Sequence, residues 1–371
     1  MKRLLLLGGG HAHLQVLQAF AREPLAGAEV LLVSPQAQLF YSGMLPGCIA
    51  GRFQADDCSI ALAPLAAAAR VAFVEAAATA LDVNTRRVTL SNGTVAEYDV
   101  LSLDTGATQQ RDRIPGAREH ALFLRPIEHF VRLQAGLQAL AARRVLDVVV
   151  VGAGAAGVEL ALALRQALAG AEERARIALV TGGPVPLAGY ADAVVGRAQR
   201  ALAQRRVTVL REACTAIDAQ AVHLANGARL ACDAAVVATG AEAPPWLAGS
   251  GLTLDAQGFV ATGPTLQSLS HANVFAAGDV ASRGDAPHAR SGVHAVRAGP
   301  ALGLNLRRYV GGGTLQPYTP PARTLSLIAC GDGEAIAAWG QWSAQGRWVG
   351  WWKDRIDRGF VARYLIPSAG R

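Results

Sequence analysis

A buried strand that runs into glycines and then into a helix occurs twice in this chain, and this repeat limits the choice of fold more than any other feature. The first copy reads KRLLLLGGGHAHLQVL from Lys2, and the second reads DVVVVGAGAAGVEL from Asp147. Four consecutive apolar residues suit a short strand that is buried on both faces of a parallel sheet. A glycine turn after such a strand leaves the N–H groups of the next helix free to bind phosphate. Each copy therefore predicts the opening of a dinucleotide-binding βαβ unit.

The two glycine turns differ at one position of the G-x-G-x-x-G pattern. The second copy has all three glycines, Gly152, Gly154 and Gly157. The first copy has Gly8 and Gly10, but His13 stands in the third place. The first glycine permits the tight turn, the second lets the backbone approach a pyrophosphate, and the third allows close contact between helix and strand. The second motif is therefore complete and the first is not.

A longer passage recurs at a constant offset of 134 residues. Residues 88–107 read VTLSNGTVAEYDVLSLDTGA, and residues 222–241 read VHLANGARLACDAAVVATGA. Each passage contains an Asn-Gly pair, which predicts a hairpin closed by a type I′ turn. Each then runs through an apolar strand into Thr-Gly-Ala. The same order of signals in both halves predicts two dinucleotide-binding units.

The second unit is predicted to lie inside the first. After the second Thr-Gly-Ala, residues 274–281 read VFAAGDVA, a strand that ends in Gly278-Asp279, and residues 292–306 follow as a closing helix. The predicted fold is α/β, with two Rossmann-like domains and a small C-terminal α+β tail. The first domain takes residues 1–110 and 250–319, the inserted domain 111–249, and the tail 320–371. Residues 41–51 show neither the helical nor the strand period of apolar residues and are predicted to form a loop.

Composition narrows the classes of function. Hydrophobic residues make up 51% of the chain and charged residues 17%, which predicts a large core rather than disorder. The net charge of +7 suits phosphate-bearing ligands or an anionic membrane. Nucleic acid is the least favoured partner, because the chain has no lysine-rich tail. The five cysteines form no C-x-x-C pair and no zinc spacing, so no metal is expected. Without a signal-peptide pattern after Lys2 and Arg3, the expected location is the cytoplasm.

Together, the two glycine motifs, the two Thr-Gly-Ala ends and Gly278-Asp279 resemble the FAD-dependent pyridine nucleotide-disulfide oxidoreductases. The resemblance covers nearly the whole chain. The segments GGGHAHLQVL, YSGMLPGCIAG and GRWVGWWKDRIDRGF are most similar to the branch related to type II NADH dehydrogenases. That branch also occurs fused in front of selenide, water dikinase.

The resemblance implies that the first unit binds FAD and that the inserted unit binds NAD(P)H. The FAD-binding residues it implies are Gly8, Gly9, Gly10, His11, Ala12, Ser34, Thr105, Gly106, Gly278 and Asp279. The NAD(P)H-binding residues it implies are Gly152, Gly154, Ala155, Gly157, Glu159, Thr181 and Gly240. Two alternatives stay open: Asp279 as an ordinary helix N-cap, and Glu159 as a solvated acid rather than a neighbour of the nicotinamide. The choice between NADH and NADPH is also open.

The resemblance further implies electron transfer from NAD(P)H through FAD to a second acceptor, with a quinone as the candidate. His294 is the candidate catalytic residue, because a histidine there could protonate the reduced acceptor, and a structural role is the alternative. Disulfide members of the family carry two cysteines four positions apart, and Cys48 has no such partner. Dithiol chemistry is therefore not expected. The alternatives are a sulfide:quinone reductase and a flavoprotein redox module that serves a partner in selenium metabolism.

The C-terminal segment carries five of the six tryptophans and a predicted helix over residues 353–366. An apolar residue recurs every four positions at Trp352, Ile356, Phe360 and Tyr364. Basic residues off this stripe are Lys353, Arg355, Arg358 and Arg363. Such a helix suits peripheral contact with the inner face of the cytoplasmic membrane. The alternatives are that the stripe packs on the protein's own sheet or on a second subunit of a homodimer.

Overall fold

The computed structural model of the chain describes residues 1–124, 136, 139–141, 143–168 and 175–365, and helices and strands are numbered within them. The first strands are β1 (Lys2–Leu7), β2 (Ala28–Ser34), β3 (Gln38–Phe40), β4 (Ser59–Ala61), β5 (Ala72–Glu75), β6 (Ala78–Asp82), β7 (Arg87–Leu90), β8 (Val95–Glu97), β9 (Val100–Leu103) and β10 (Thr108–Gln109). The helices among them are α1 (His11–Arg22), α2 (Leu45–Ile49) and α3 (Leu62–Ala68).

The inserted segment has the same alternation of strands and helices. Its strands are β11 (Ala121–Phe123), β12 (Leu146–Val151), β13 (Ala175–Val180), β14 (Val207–Leu210), β15 (Cys214–Asp218), β16 (Ala221–Leu224), β17 (Arg229–Ala231), β18 (Ala234–Val237) and β19 (Ala241–Glu242). Its helices are α4 (Ala117–His120), α5 (Ala155–Ala167) and α6 (Asp192–Gln204).

The remaining elements return to the first unit and then form the tail. Three short strands, β20 (Val260–Thr262), β21 (Val274–Ala276) and β22 (Ala281–Arg283), precede the long helix α7 (Gly292–Gly311). The tail consists of β23 (Ser326–Ala329), β24 (Ala335–Trp339), β25 (Trp342–Gly346) and α8 (Arg347–Ala362). Among the described residues, no helix is both long and apolar enough to cross a bilayer.

Two five-stranded parallel sheets are built to the same plan. In the first sheet, β1 lies between β9 and β2, with β21 and β5 outside them. In the second sheet, β12 lies between β18 and β13, with β11 and β14 outside them. Since β21 follows the second sheet in sequence but completes the first, the second unit is inserted in the first. The prediction of two Rossmann-like units is confirmed, whereas the domain boundaries stay a prediction.

The two Thr-Gly-Ala ends meet in the structure. Immediately after them, β10 and β19 pair as antiparallel strands, with Thr108 opposite Glu242 and Gln109 opposite Ala241. The Gln109 side-chain amide also donates a hydrogen bond to the Val237 carbonyl, at 2.5 Å. This short ladder joins the two units where both parallel sheets end.

The two Asn-Gly pairs close hairpins, but the predicted type I′ turn is wrong. Such a turn requires positive φ at both central residues, and here only the glycines have it: φ is +81° at Gly93 and +84° at Gly227. The Gly93 N–H donates to the Leu90 carbonyl at 3.0 Å, which closes a turn over the two residues between them. Each hairpin therefore has a turn followed by a left-handed glycine, the common three-residue loop.

Two further predictions are corrected. Residues 41–51 are not a loop, because a 3₁₀ turn over Ser42–Met44 leads directly into α2. One and a half helical turns are too short to show a 3.6-residue period, which explains the error. The predicted helix over residues 353–366 is also wrong at both ends, because α8 begins at Arg347 and ends at Ala362, with Arg363 as its C-cap.

The tail packs on the first unit. The antiparallel sheet β23–β24–β25 precedes α8, whose Phe360 ring stacks on Tyr41 with centroids 4.4 Å apart. The Gln15 side chain in α1 donates to the Tyr364 hydroxyl at 2.5 Å. The C-terminal helix is therefore held against the first glycine turn and the segment after β3.

Candidate functional site

A cavity of about 660 Å³ opens at the C-terminal ends of β1, β2 and β9. Open α/β sheets bind ligands at this edge. Eight of the ten residues predicted to bind FAD line it: Gly8, Gly9, Gly10, His11, Ser34, Thr105, Gly106 and Asp279. The other two lie behind its walls, Ala12 buried in α1 and Gly278 beside a smaller neighbouring cavity. The fold therefore brings most of the predicted set into one space.

The glycine turn is required by the protein's own packing as well as by a ligand. Gly8 has φ +98°, and a Cβ atom there would collide with the Asp104 carbonyl. A Cβ atom at Gly10 would lie 2.5 Å from the carboxyl carbon of Asp104. Sequence reasoning explained Gly10 only by the approach of a pyrophosphate, so the contact with Asp104 is an additional reason for this glycine.

Asp104 is a buried acid that sequence reasoning missed. Its side chain accepts the His13 backbone N–H at 2.8 Å, so it caps the start of α1. Burial raises the pKa of the Asp104 carboxyl well above its ordinary range. The internal repeat contains a signal for this residue, because Ala238 stands at the equivalent position 134 residues later. Asp104 ties α1 to β9 directly beneath the glycine turn.

His13 stands in the place of the third glycine, and its ring joins the glycine turn to β9 by hydrogen bonds. Its ring is fully buried, with Nδ1 2.6 Å from the Gly8 carbonyl oxygen and Nε2 2.8 Å from the Ser102 hydroxyl. Burial lowers the pKa of the His13 imidazole to about 4, so the ring is neutral at pH 7. Nδ1–H must then donate to Gly8, because a carbonyl can only accept, and Nε2 accepts from Ser102. In the second unit, a Cβ atom at Gly157 would overlap the Gly152 carbonyl, so helix and strand touch directly.

The large cavity suits FAD in three respects. The start of α1 faces it, glycines form its floor, and the Thr105 hydroxyl is buried there without a hydrogen-bond partner among the described residues. A buried hydroxyl in that condition is expected to bind a ligand or a water molecule.

Asp279 lies within the short 3₁₀ helix Gly278–Val280, whose N-cap is Ala277. The alternative in which Asp279 is an ordinary N-cap therefore does not hold.

The second glycine turn is open to a ligand. Gly152 has φ +107°, as a tight turn requires, and Gly154 is the N-cap of α5. A Cβ atom at Gly154 would meet no atom within 4 Å, so the space above the helix start is free. Thr181 and Gly240 lie at the ends of the flanking strands β13 and β18. The predicted NAD(P)H residues of the turn and strand ends thus converge at one sheet edge.

Glu159 is half-buried against the tail. Its carboxylate accepts the Ala329 backbone N–H of β23 at 2.8 Å. Burial raises the pKa of the Glu159 carboxyl to about 7, although the nearby Lys353 opposes this shift. The alternative of a solvated helix-start acid is therefore wrong, and its placement beside the nicotinamide stays a prediction.

His294 does not line the large cavity. It lies in the first turns of α7, where Ser291, Gly292 and Ala295 line the large cavity while the His294 ring faces a smaller one. Its ring centroid is 4.4 Å from that of His288. Burial, followed by the nearby His288 and Arg297, lowers the pKa of the His294 imidazole.

Cys48 has a partner that a search for cysteines four apart cannot find. Its thiol lies beside that of Cys58, and both residues are buried. Contact with Cys58 lowers the pKa of the Cys48 thiol, while the same contact and burial raise that of Cys58. Neither residue lines the large cavity. The expectation that no dithiol relay operates stays a prediction.

The apolar stripe predicted on α8 is divided between core and surface. Phe360 and Tyr364 are buried, whereas Ile356 is 42% exposed. Lys353 is also buried, because its ammonium donates to Asp357 at 2.7 Å and to the Gly43 carbonyl at 2.6 Å. Lys353 is therefore unavailable to lipid headgroups. The exposed aromatic residues are instead Trp339, Trp342, Trp348 and Trp351, which we call the tryptophan set.

Comparison with known proteins agrees with this geometry. The family model for pyridine nucleotide-disulphide oxidoreductases matches residues 2–299. An NADH dehydrogenase-like protein of Mycobacterium tuberculosis is 29% identical over 300 residues, which are 76% of this chain and 73% of that protein. A demethylphylloquinone reductase of Synechocystis sp. is 27% identical over 297 residues, with the same two coverages.

Solved structures share the fold at low identity. The sulfide:quinone oxidoreductase of Aquifex aeolicus has a TM-score of 0.83 at 20% identity, covering 98% of this chain and 91% of its own. NDH2 of Plasmodium falciparum, solved in complex with NADH, has a TM-score of 0.82 at 13% identity, covering 98% and 97%. With the family model matching most of its length, the chain belongs to the pyridine nucleotide-disulphide oxidoreductase family and is an NAD(P)H-dependent flavoprotein oxidoreductase that binds FAD and NAD(P)H.

Proposed function

We propose that the protein passes electrons from NAD(P)H through FAD to a quinone. The observation that carries this proposal is the tryptophan set on the tail that packs against the cofactor cavity. Phe360 of α8 stacks on Tyr41, and both rings lie within 6 Å of His11, which lines the cavity. The relatives reported above include a demethylphylloquinone reductase. A lipid-dissolved acceptor needs such a connection between the membrane interface and the cofactor.

The FAD, when bound, takes the hydride of NAD(P)H and gives electrons to the acceptor. The chain's part is to hold both nucleotides and to exclude water. The turn at Gly8 and Gly10 and the start of α1 hold the FAD pyrophosphate, with Thr105 and Asp279 as hydrogen-bonding neighbours. Gly154, at the open helix start, faces the pyrophosphate of NAD(P)H. Glu159, with a pKa of about 7, can hold or release a proton at its carboxyl near neutral pH.

The tryptophan set supplies the proposed membrane contact. Trp339 and Trp342 are cross-strand neighbours in the β24–β25 hairpin, and their side chains are 54% and 48% exposed. Trp348 and Trp351 are one turn apart on α8, at 56% and 65% exposed. Tryptophan prefers the membrane interface, and Arg355, over the Trp351 ring at 5.9 Å, is close enough to reach anionic headgroups. We propose peripheral binding at the inner face of the membrane; a second subunit covering the same residues is the alternative.

An acceptor assay tests the proposal. The protein is reduced anaerobically with NADH or NADPH, and a water-soluble quinone, ferricyanide, a disulfide or polysulfide is then added separately. We expect the quinone to restore the visible absorption of FAD fastest. If reduction is rapid but every small acceptor is slow, the protein is a redox module for a protein partner instead. If polysulfide is preferred to the quinone, the proposal is wrong.

A sulfide:quinone reductase is the second candidate, and the contact between Cys48 and Cys58 favours it. Two thiols in contact can form a disulfide, which sulfur chemistry uses as a relay. Cys48→Ser separates the two candidates. If the thiols only pack, the variant keeps NAD(P)H:quinone activity within a few-fold. A loss beyond about a hundredfold, or ~2.7 kcal/mol of barrier, would show that sulfur chemistry is required.

A further inference from the structure

The turn after β13 carries no carboxylate. In dinucleotide-binding folds, an acidic residue after the second strand of the unit binds the adenosine ribose of NAD, whereas a nearby arginine accommodates the 2′-phosphate of NADP. Here β13, the second strand of the inserted unit, ends at Val180, and Thr181, Gly182 and Gly183 follow it. The group that favours NADH over NADPH is therefore missing from this position.

The Thr181 hydroxyl does not replace the missing acid, because it is used within its own turn. It donates to the Gly183 carbonyl and accepts the Gly183 backbone N–H at 3.2 Å. A Cβ atom at Gly182 or at Gly183 would meet no atom within 4 Å. The space beyond the end of β13 is therefore open, and an additional phosphate group has room there.

Arg211 lies beside this open turn. It directly follows β14, which pairs with β13, so it stands at the carboxyl end of the sheet, where open α/β sheets bind ligands. The Thr181 N–H donates to the Leu210 carbonyl at 2.9 Å. The Gly182 N–H donates to the Glu212 carbonyl at 3.0 Å. These two bonds hold the residues on either side of Arg211 against the turn, and Arg211 with them.

The Arg211 side chain is free to bind a phosphate. It is exposed and forms no ion pair with any residue that the structure describes. A guanidinium group presents parallel N–H donors that match two oxygens of a phosphate. Arg176 is unsuitable for this role, because it lies near the start of β13, at the far end of the strand, and pairs with Asp147 at 2.5 Å.

We propose that the inserted unit binds NADPH in preference to NADH and that Arg211 binds its 2′-phosphate. This inference rests on the function proposed above, since it names the electron donor of that reaction, but it does not depend on which acceptor is reduced. Glu212 is the acidic residue next to Arg211, and its side chain is half-buried. If Glu212 rather than Arg211 met the nucleotide, the preference would be for NADH.

Calorimetric titration of the oxidised holoenzyme tests the preference without turnover. NADP⁺ and NAD⁺ are titrated separately at one constant ionic strength, because salt screens a phosphate contact. Adenosine 2′,5′-bisphosphate and AMP form a second pair of probes that differ only in the 2′-phosphate. We expect NADP⁺ to bind about tenfold or more tightly than NAD⁺, and the bisphosphate to exceed AMP by a similar factor.

Variants assign the preference to residues. Arg211→Gln should weaken NADP⁺ binding about tenfold or more and leave NAD⁺ binding unchanged. Arg206→Gln is the matched control, because it removes the same charge from an exposed position directly before β14 and should change neither affinity. Thr181→Asp places a carboxylate at the end of β13 and should reverse the preference. FAD content, read from the visible spectrum, should be equal in all of these proteins.

The outcomes separate this inference from the proposed function. It is wrong if NAD⁺ binds as tightly as NADP⁺, or if Arg211→Gln binds NADP⁺ as tightly as Arg206→Gln does. If neither nucleotide binds, the inserted unit is not the nucleotide site, and the proposed function fails together with this inference. Tight NADP⁺ binding that Arg211→Gln weakens supports it even if no quinone is reduced.

Discussion

At the scale of single residues, the two glycine turns have different requirements. The turn at Gly10 is closed by Asp104, so its glycines are needed to fold the unit even without a ligand. The turn at Gly154 faces open space, so the protein itself tolerates a side chain there. Only an approaching pyrophosphate would meet that side chain.

Gly154→Val should therefore raise the KM for NAD(P)H at least tenfold while leaving FAD bound and stability nearly unchanged. Its φ of −67° and ψ of −176° are accessible to valine, so no backbone strain is expected. Steady-state kinetics and the visible spectrum measure the two effects. Gly284→Val, at an exposed position after β22 where an added Cβ atom would also meet no atom within 4 Å, controls for general damage. Equal loss of both cofactors would contradict this assignment of the turn.

Asp104 should make stability depend on pH. The Asp104 carboxyl has a raised pKa in the folded protein. Its contribution to the free energy of unfolding is therefore fully present below the ordinary pKa of 3.8 and is lost as the pH rises through the folded pKa. Asp104→Asn, which cannot ionise, should lack this loss. Denaturant unfolding of both proteins across the acid-to-neutral range measures the difference. Parallel pH profiles would show that Asp104 does not titrate in the folded state.

Asp104→Ala tests the capping role separately. It leaves the backbone N–H of His13 unpaired, which should cost about 1–3 kcal/mol if that group remains buried. FAD affinity should fall with stability, because the start of α1 forms the cavity wall. Thr94→Ala, at an exposed hairpin, is the control. A stability equal to that of the unmodified chain would exclude a capping role.

At the scale of elements, sequence reasoning succeeds where period and turn chemistry agree. The apolar runs at Leu4–Leu7 and Val148–Val151 are buried on both faces, as central parallel strands must be, and the glycines after them fix where α1 and α5 start. It fails where contacts join residues distant in sequence. Cys58 meets Cys48, and Ala329 meets Glu159, only because the chain folds back. The stripe on α8 likewise was divided by packing against Tyr41, which no local pattern reports.

The tail should bind anionic liposomes through the tryptophan set. Replacing Trp348 and Trp351 by serine should reduce flotation with anionic vesicles at low salt, because about half or more of each side chain is exposed to meet the interface. The matched control replaces Val95 and Leu269, which are also exposed but lie away from the tail. If the unmodified chain stays with the soluble fraction, the membrane proposal fails and a soluble acceptor is favoured.

At the scale of the whole molecule, the inserted unit lies beside the first unit, so that the two glycine turns belong to one connected structure. The β10–β19 ladder joins the ends of both sheets, and Glu159 of α5 bonds to the tail that packs on the first unit. Helix α5, the tail and the large cavity are therefore connected by direct contacts. This arrangement is what hydride transfer between two bound nucleotides requires.

Anaerobic stopped-flow mixing with NADH, and separately with NADPH, tests this account most directly. The purified protein should be yellow, and one equivalent of the preferred nucleotide should remove the visible absorption of its FAD within one turnover. Gly154→Val should retain the yellow colour and lose absorption more slowly at the same limiting concentration. A yellow protein whose absorption does not change with either nucleotide would contradict the account, because the inserted unit would then be structural.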